Sequence, residues 1–183
     1  MKRWLAVLPL VVLLGLAVLF GVWALNRDPA YKPDALVGQP VPETVLPMLT
    51  GAVAGPGQVD LKTAGVGRPM LINLFASWCG PCRIEHPALM ALKDQGIAIV
   101  GIAYKDEPAA TRAFLDELGD PFAMVLVDAE GRAGLELGIA GVPETYAVDP
   151  YGRIVAKHTG PLTDPADIRR LTEALATPAT RPR

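Results

Sequence analysis

The two cysteines of the chain, Cys79 and Cys82, lie where an apolar run ends and a helical pattern begins. The run Pro69–Ala76 has the length and composition of a buried strand, and Gly80–Asp94 has the apolar spacing of an amphipathic helix. A second buried strand is predicted over Ile97–Tyr104. The cysteine pair therefore lies at a strand-to-helix junction, and the order of these elements predicts an α/β fold.

The rest of the chain continues this alternation of strands and helices. Downstream we predict a helix over Glu107–Leu118, a strand over Ala123–Asp128, a short helix over Ala133–Leu137, strands over Thr145–Val148 and Arg153–Lys157, and a last helix over Asp164–Ala176. Upstream we predict a strand over Thr44–Leu49 and a turn-rich loop over Gly51–Gly57. This order predicts a mixed sheet that is covered by helices on both faces.

The amino-terminal segment Trp4–Leu25 contains no charged residue. As a helix it would be about 33 Å long, which matches the ~30 Å hydrocarbon layer of a membrane. We therefore predict a retained membrane anchor over residues 1–25 that contacts lipid through residues 4–25. A signal peptide that is cleaved after Ala24 is the alternative. Basic residues flank the segment on both sides, so they do not fix its orientation.

Polar composition and prolines define the remaining regions of the chain. Residues 26–39 are polar and contain Pro29 and Pro33, which is typical of a linker. We expect the folded domain to cover residues 40–176 and residues 177–183 to form a frayed tail. The 183-residue chain has 17 Lys and Arg against 19 Asp and Glu, a net charge of −2. This balance excludes a general basic surface, so we do not expect nucleic-acid binding.

The spacing of the cysteines indicates redox chemistry. At a helix amino terminus, unpaired N–H groups and the helix dipole stabilise a thiolate, so we predict that Cys79 is the attacking sulfur. Pro81 suits the first helical turn, and Cys82 lies on the same side of the helix, where it can resolve a mixed disulfide. The alternatives are half of a zinc site completed by His86 and His158, and an inert structural disulfide.

The motif Trp78-Cys79-Gly80-Pro81-Cys82 resembles the active-site signature of the thioredoxin superfamily, and Gly141-Val142-Pro143-Glu144-Thr145 resembles its cis-proline loop. The resemblance implies a thioredoxin-like fold and a cis bond before Pro143. A turn of that kind leaves the neighbouring backbone free to pair with an extended client chain. The client-binding residues implied in this way are Trp78, Gly80, Pro81, Val142 and Pro143.

Within that superfamily the chain resembles the membrane-anchored thiol:disulfide interchange proteins of cytochrome c biogenesis, the DsbE/CcmG type. The resemblance includes Gly38-Gln39-Pro40, Cys82-Arg83-Ile84-Glu85-His86-Pro87 and Pro143-Glu144-Thr145. It implies a protein-disulfide reductase, single-pass in the bacterial inner membrane, with its carboxyl-terminal domain in the periplasm. The implied clients are apocytochrome c or a thiol-bearing maturation protein, and the implied electron donor is a membrane protein of the DsbD/CcdA kind. No metal and no cofactor are expected beyond the redox-active cysteine pair.

One difference from thioredoxins concerns the proton acceptor. Thioredoxins carry a buried Asp six residues before the first cysteine, where this chain has Asn73, which cannot titrate. We predict that Glu144 takes the role because the cis-proline loop approaches the sulfurs, and that Glu85, three residues after Cys82, is the second candidate. The alternatives are a solvated helix face for Glu85 and a strand-edge charge for Glu144. We predict a surface position for His86.

The direction of electron flow and the client leave alternatives open. The Gly-Pro insert resembles that of the reducing thioredoxins, which favours a reductant. A general envelope thioredoxin of the TlpA type shares this chemistry. A Cu(I) metallochaperone that binds through Cys79, Cys82 and His158 is a further alternative, because soft thiolates favour Cu(I). Without copper, His158 is expected to be structural.

Overall fold

The structure is a computed structural model that describes residues 2–25, 36–64 and 67–177, with the side chains of the first helix described only in part. The helices are α1 (Lys2–Leu25), α2 (Gly80–Asp94), α3 (Pro108–Leu118), α4 (Arg132–Glu136) and α5 (Pro165–Ala176). The strands are β1 (Val45–Thr50), β2 (Val53–Asp60), β3 (Met70–Phe75), β4 (Ile99–Tyr104), β5 (Met124–Asp128), β6 (Glu144–Val148) and β7 (Ile154–Thr159).

The chain divides into two compact units, residues 1–32 and 33–183. In the first, α1 contains Pro9 and runs for 24 residues. Of the helices among the residues that the structure describes, none combines the length and the apolar character that a membrane crossing needs. The anchor over residues 1–25 therefore stays a prediction. Residues 26–35 of the predicted linker and residues 178–183 of the predicted tail lie outside the described residues.

The second unit is built on one seven-stranded sheet with the order β2-β1-β5-β4-β3-β6-β7. The central strands β5, β4 and β3 are parallel, whereas the pairs β6–β7 and β1–β2 at the two sides are antiparallel. Every residue of β3 is buried, as expected for a strand covered on both faces. The mixed sheet predicted from the sequence is confirmed.

Side chains that alternate along the strands form two separate cores. Leu71 and Phe75 pack with α2, α3 and α5 on what we call the α2 face. Ile72 and Leu74 belong to the second core, to which α4 contributes Ala133. We call this side the α4 face. Helices therefore cover both faces of the sheet, as the order of elements predicts, and β3 lies between the two cores.

Two sequence predictions need correction in the amino-terminal part of the domain. The loop predicted over Gly51–Gly57 is wrong, because β2 begins at Val53 and pairs with β1 in a hairpin. Pro56 favours a loop in the local sequence. It is tolerated here because β2 is an edge strand of the sheet. The ordered domain also begins before Pro40. The N–H of Gly38 donates to Ile154 O at 2.7 Å, and the Ile154 N–H donates to Gln39 O at 2.9 Å.

An aromatic cluster fills the α2 face near the end of β3. The ring of Phe75 lies 4.7 Å from that of Phe122 and 5.9 Å from that of Phe114, measured between centroids. Gly101 on β4 lies directly beneath Phe122, since a Cβ atom there would come within 2.8 Å of the ring. The cluster therefore depends on a residue without a side chain in the neighbouring strand.

Replacing Phe75 with Ala should lower the free energy of unfolding by about 3–5 kcal/mol, because it removes a buried ring and leaves a cavity. Urea unfolding monitored by circular dichroism measures the change. The matched control is Leu135→Ala, at a side chain that is 80% exposed, which should change stability by less than about 0.5 kcal/mol. Equal losses in the two variants would contradict the assignment of this cluster to the core.

Candidate active site

The cysteine pair lies at the carboxyl end of β3, in the turn that leads into α2. The N–H of Cys79 donates to Ala76 O at 3.2 Å, which closes the turn. Cys79 is the N-cap residue of α2, with an extended backbone, and Pro81 occupies the first helical turn. The strand-to-helix junction predicted from the sequence is confirmed, and it places both sulfurs at the amino terminus of a 15-residue helix.

Cys79 and Cys82 form a disulfide. The backbone N–H of Cys82 points at Cys79 Sγ, at a distance of 3.1 Å. In the reduced protein, a donor at this place and the amino end of the α2 dipole would both stabilise a thiolate on Cys79. The helix therefore provides the electrostatic environment that an attacking sulfur needs.

Exposed groups surround the largely buried disulfide. Cys79 is 4% exposed, whereas the preceding Trp78 is 60% exposed. Gly80 and Pro81 are also exposed and continue the same surface on the helix side. The residues on both sides of Cys79 in the chain are therefore exposed, whereas Cys79 itself is largely covered.

The loop before β6 lies next to Cys79. The Val142–Pro143 peptide bond is cis, which confirms the expectation that the resemblance provides. Val142 O lies 3.6 Å from Cys79 Sγ. A backbone carbonyl thus lies next to the reactive sulfur, where the main chain of a client could pair with it.

Glu85 is fully buried on α2, three residues after Cys82. Its Oε1 accepts from Asn73 Nδ2 at 2.8 Å and its Oε2 accepts from the Leu162 N–H at 3.0 Å. Burial raises the pKa of Glu85 to about 7, although the two hydrogen bonds oppose the shift. The alternative of a solvated helix face for Glu85 is therefore wrong, because the side chain is buried. The core on the α2 face also contains both cysteines.

Asn73 connects this carboxyl group to the sheet. It lies on β3, is fully buried, and donates through Nδ2 to Thr145 Oγ1 at 3.0 Å as well as to Glu85. Asn73 and Thr145 are directly paired across β3 and β6. The position at which thioredoxins carry an acid thus holds an amide, and this amide binds the acid supplied by α2.

Glu144 points to the opposite side of the sheet. It pairs with Leu74, one residue along from the pair Asn73–Thr145, so its side chain belongs to the α4 face. There it forms an ion pair with Lys157 at 2.8 Å, and it accepts from Tyr146 Oη and from the Ala140 N–H, each at 2.9 Å. The structure therefore does not bring the first-choice acceptor to the sulfurs.

The same geometry shows what Glu144 does instead. Its hydrogen bond from Ala140 fixes the loop that leads to Val142 and Pro143. The alternative of a strand-edge charge is also wrong, because β6 lies inside the sheet between β3 and β7. Lys157, which sequence reasoning missed, is 5% exposed and supplies the compensating charge.

The two histidines lie at different depths. His86 is 3% exposed, so its predicted surface position is wrong. Its Nε2 lies 2.9 Å from Gly119 O and its ring meets Phe114 edge-on, while burial lowers the pKa of the imidazole. His158 on β7 lies 3.5 Å from Asp167.

Within the described part of the chain, no group of three or more His, Cys, Asp or Glu side chains is arranged to hold a metal ion.

A cysteine pair at this position can cycle between disulfide and dithiol by exchanging two electrons with the cysteines of another protein. This chemistry on this sheet defines a thiol:disulfide oxidoreductase with a thioredoxin-like fold. The Redoxin family model matches residues 36–175. The chain therefore belongs to the Redoxin family, and its relatives are thiol:disulfide interchange proteins.

Two of these relatives and one solved structure show how far the similarity extends. Thiol:disulfide interchange protein HelX of Rhodobacter capsulatus is 41% identical over 177 residues, covering 96% of this chain and 98% of that protein. Thiol:disulfide interchange protein DsbE of Pseudomonas aeruginosa is 42% identical over 162 residues, covering 87% and 86%. A crystal structure described as DsbE from Chlorobium tepidum is 26% identical with a TM-score of 0.60, covering 75% of this chain and 93% of that one.

The raised pKa of Glu85 should make the stability of the oxidised protein depend on pH. The folded state holds the proton to about pH 7, whereas the unfolded state releases it near the ordinary value of 4.5. The stabilisation that the bound proton contributes is fully present below the pKa of the unfolded state. It is lost as the pH rises through about 7, which lowers the free energy of unfolding by about 3 kcal/mol. Urea unfolding at a series of pH values measures it.

In the Glu85→Gln variant this decrease should disappear, because the amide does not titrate. The matched control is Glu173→Gln, at an exposed carboxylate on α5, which should keep the pH dependence of the unmodified chain. A Glu85→Gln variant with an unchanged pH dependence would show that Glu85 does not hold the proton.

Proposed function

We propose that this chain is a membrane-anchored periplasmic reductase of protein disulfides that serves cytochrome c biogenesis. Its clients in this proposal are the cysteines of apocytochrome c or of a thiol-bearing maturation protein. The single observation that carries the redox part is the Cys79–Cys82 disulfide at the start of α2, with Val142 O at 3.6 Å. The resemblance to the DsbE/CcmG type supports the client class.

The reaction begins from the reduced protein. The Cys79 thiolate attacks one sulfur of the client disulfide, which forms a mixed disulfide and releases the first client thiolate. Cys82 then gives its proton to the Glu85 carboxylate and attacks Cys79 Sγ. This releases the second client thiolate, which takes up a proton, and two electrons have moved from the cysteine pair to the client. A pKa of about 7 lets Glu85 accept and return that proton near neutral pH.

A reducing role outside the cytoplasm requires a continuous supply of electrons. In an oxidising compartment the cysteine pair stays closed unless a donor dithiol reopens it. We therefore include a membrane donor of the DsbD/CcdA kind in the proposal. The Gly80-Pro81 insert, which resembles that of reducing thioredoxins, supports this direction.

The proposed location is the bacterial inner membrane, single-pass, with the redox domain in the periplasm. The uncharged stretch Trp4–Leu25 supports the anchor, since its 22 residues in a helix would extend about 33 Å. Tethering would raise the effective concentration of the domain near a membrane donor. Residues 4–25 would then contact lipid.

Replacing Cys82 with Ser in the full chain should leave Cys79 joined to its client, because the resolving sulfur is missing. Mass spectrometry of mixed disulfides purified from intact cells identifies the partner. Cytochromes or their maturation proteins are the expected result, whereas a broad mixture would contradict the specific client and favour a general envelope reductase. The control is the double variant Cys79→Ser and Cys82→Ser. Adducts that persist in it would show that Cys79 does not form them.

The proton acceptor is tested by comparing Glu85→Gln with Glu144→Gln. If Glu85 accepts the proton, its replacement should slow the resolution of the mixed disulfide by about 10²–10⁴-fold and remove the corresponding step from the pH profile. Single-turnover release of a reduced peptide measures both. Glu144→Gln should keep the pH profile, because that carboxylate faces the other core. The opposite pattern would restore Glu144 as the acceptor.

A further inference from the structure

A buried carboxylate on a neighbouring loop holds the turn that leads to Cys79. Asp106 follows β4 and is 7% exposed. Its Oδ2 accepts from the Ser77 N–H at 2.7 Å and from Thr111 Oγ1 at 2.8 Å. Its Oδ1 accepts from Ser77 Oγ at 2.7 Å and from the Glu107 N–H at 3.0 Å. Sequence reasoning did not single out this residue, because an Asp after a strand is common in loops.

Two adjacent residues of the β4–α3 loop bind two adjacent residues of the active-site turn. Asp106 binds both polar groups of Ser77 that can donate. The carbonyl of the preceding Lys105 accepts from Trp78 Nε1 at 3.1 Å. An indole that is 60% exposed has few packing contacts to fix its rotamer. The hydrogen bond to Lys105 O orients the ring, and the bonds from Ser77 to Asp106 hold the backbone that precedes it.

The chemistry of this contact favours a carboxylate over an amide. An ionised Asp has two oxygens that only accept, and here each oxygen meets two donors. An Asn in the same place would turn its NH₂ group toward one backbone N–H, from Ser77 or from Glu107, and lose that hydrogen bond. The hydroxyl that meets the same atom would have to rotate and accept instead. Hydrogen bonds to an ionised acceptor are also the stronger ones.

We propose that Asp106 is a positioning residue for client binding, which acts through Ser77 to hold Trp78, the exposed residue that precedes Cys79. The indole is then ordered before the client arrives, so the client does not have to order it. Asp106 touches neither the sulfurs nor the client in this assignment. The inference rests on the proposed reduction of protein disulfides.

The test compares Asp106→Asn with Thr111→Val in the reduced full chain. Thr111 donates to the same carboxylate but has no hydrogen bond to the turn, so Thr111→Val is the matched control. The two substrates are a peptide disulfide, which has a chain to dock, and oxidised glutathione as the small probe. Asp106→Asn should raise KM for the peptide about tenfold while kcat and the glutathione rate stay near those of the unmodified chain. Thr111→Val should change none of these values.

A general loss of structure would move all these rates together, so equal losses with both substrates, or equal effects of the two variants, would overturn the proposal. Should Asp106→Asn fail to fold, Ser77→Ala replaces it. That variant removes the hydroxyl donor alone and should raise KM for the peptide about twofold to fivefold, with the glutathione rate unchanged. An unchanged KM would count against the proposal.

Fluorescence anisotropy separates this inference from the proposed function. In a full chain with Trp4→Phe and Trp23→Phe, Trp78 is the remaining indole of the three tryptophans. Asp106→Asn should increase the mobility of the indole and Thr111→Val should not. If the unmodified chain reduces neither substrate, the proposed function fails, and equal mobility in the two variants still overturns the positioning role.

Discussion

The alternation of side chains along β3 and β6 determines the chemistry that surrounds the cysteines. Both strands lie between two cores, so a shift of one residue moves a side chain from one core to the other. Asn73 and Thr145 point to the α2 face together with the disulfide, whereas Glu144 points to the α4 face. The two buried carboxyl groups therefore have different partners. Glu85 binds Asn73 and the Leu162 N–H on the α2 face, whereas Glu144 binds Lys157 and the Ala140 N–H on the α4 face.

Most of the fold could be predicted from the sequence because buried strands and amphipathic helices have different periods. The predicted helix over Gly80–Asp94 agrees with α2, and the predicted strand over Ala123–Asp128 differs from β5 by one residue. The hairpin partner β2 was missed because Gly55, Pro56 and Gly57 are typical of a loop. A strand can contain these residues here because β2 lies at the edge of the sheet. That position is a property of the assembled sheet and not of the local sequence.

The candidate site could be predicted only in its local part. The cysteine pair, its place at the start of a helix and the proline of the neighbouring loop follow from short motifs. The ranking of the two glutamates and the burial of His86 depend on contacts between distant segments. Glu85 is bound by Leu162, which lies 77 residues away in the chain, and His86 by Gly119, 33 residues away. No periodic pattern reports such long-range partners.

Each free margin of the sheet carries a feature that disfavours pairing with another chain. On one side β2 carries Pro56, which has no N–H to offer a new strand. On the other side the backbone of Gly38 and Gln39 already bonds to the beginning of β7. A strand from a second copy would meet a missing donor at one margin and an already bonded end at the other. Both features lower the tendency of the domain to aggregate edge to edge.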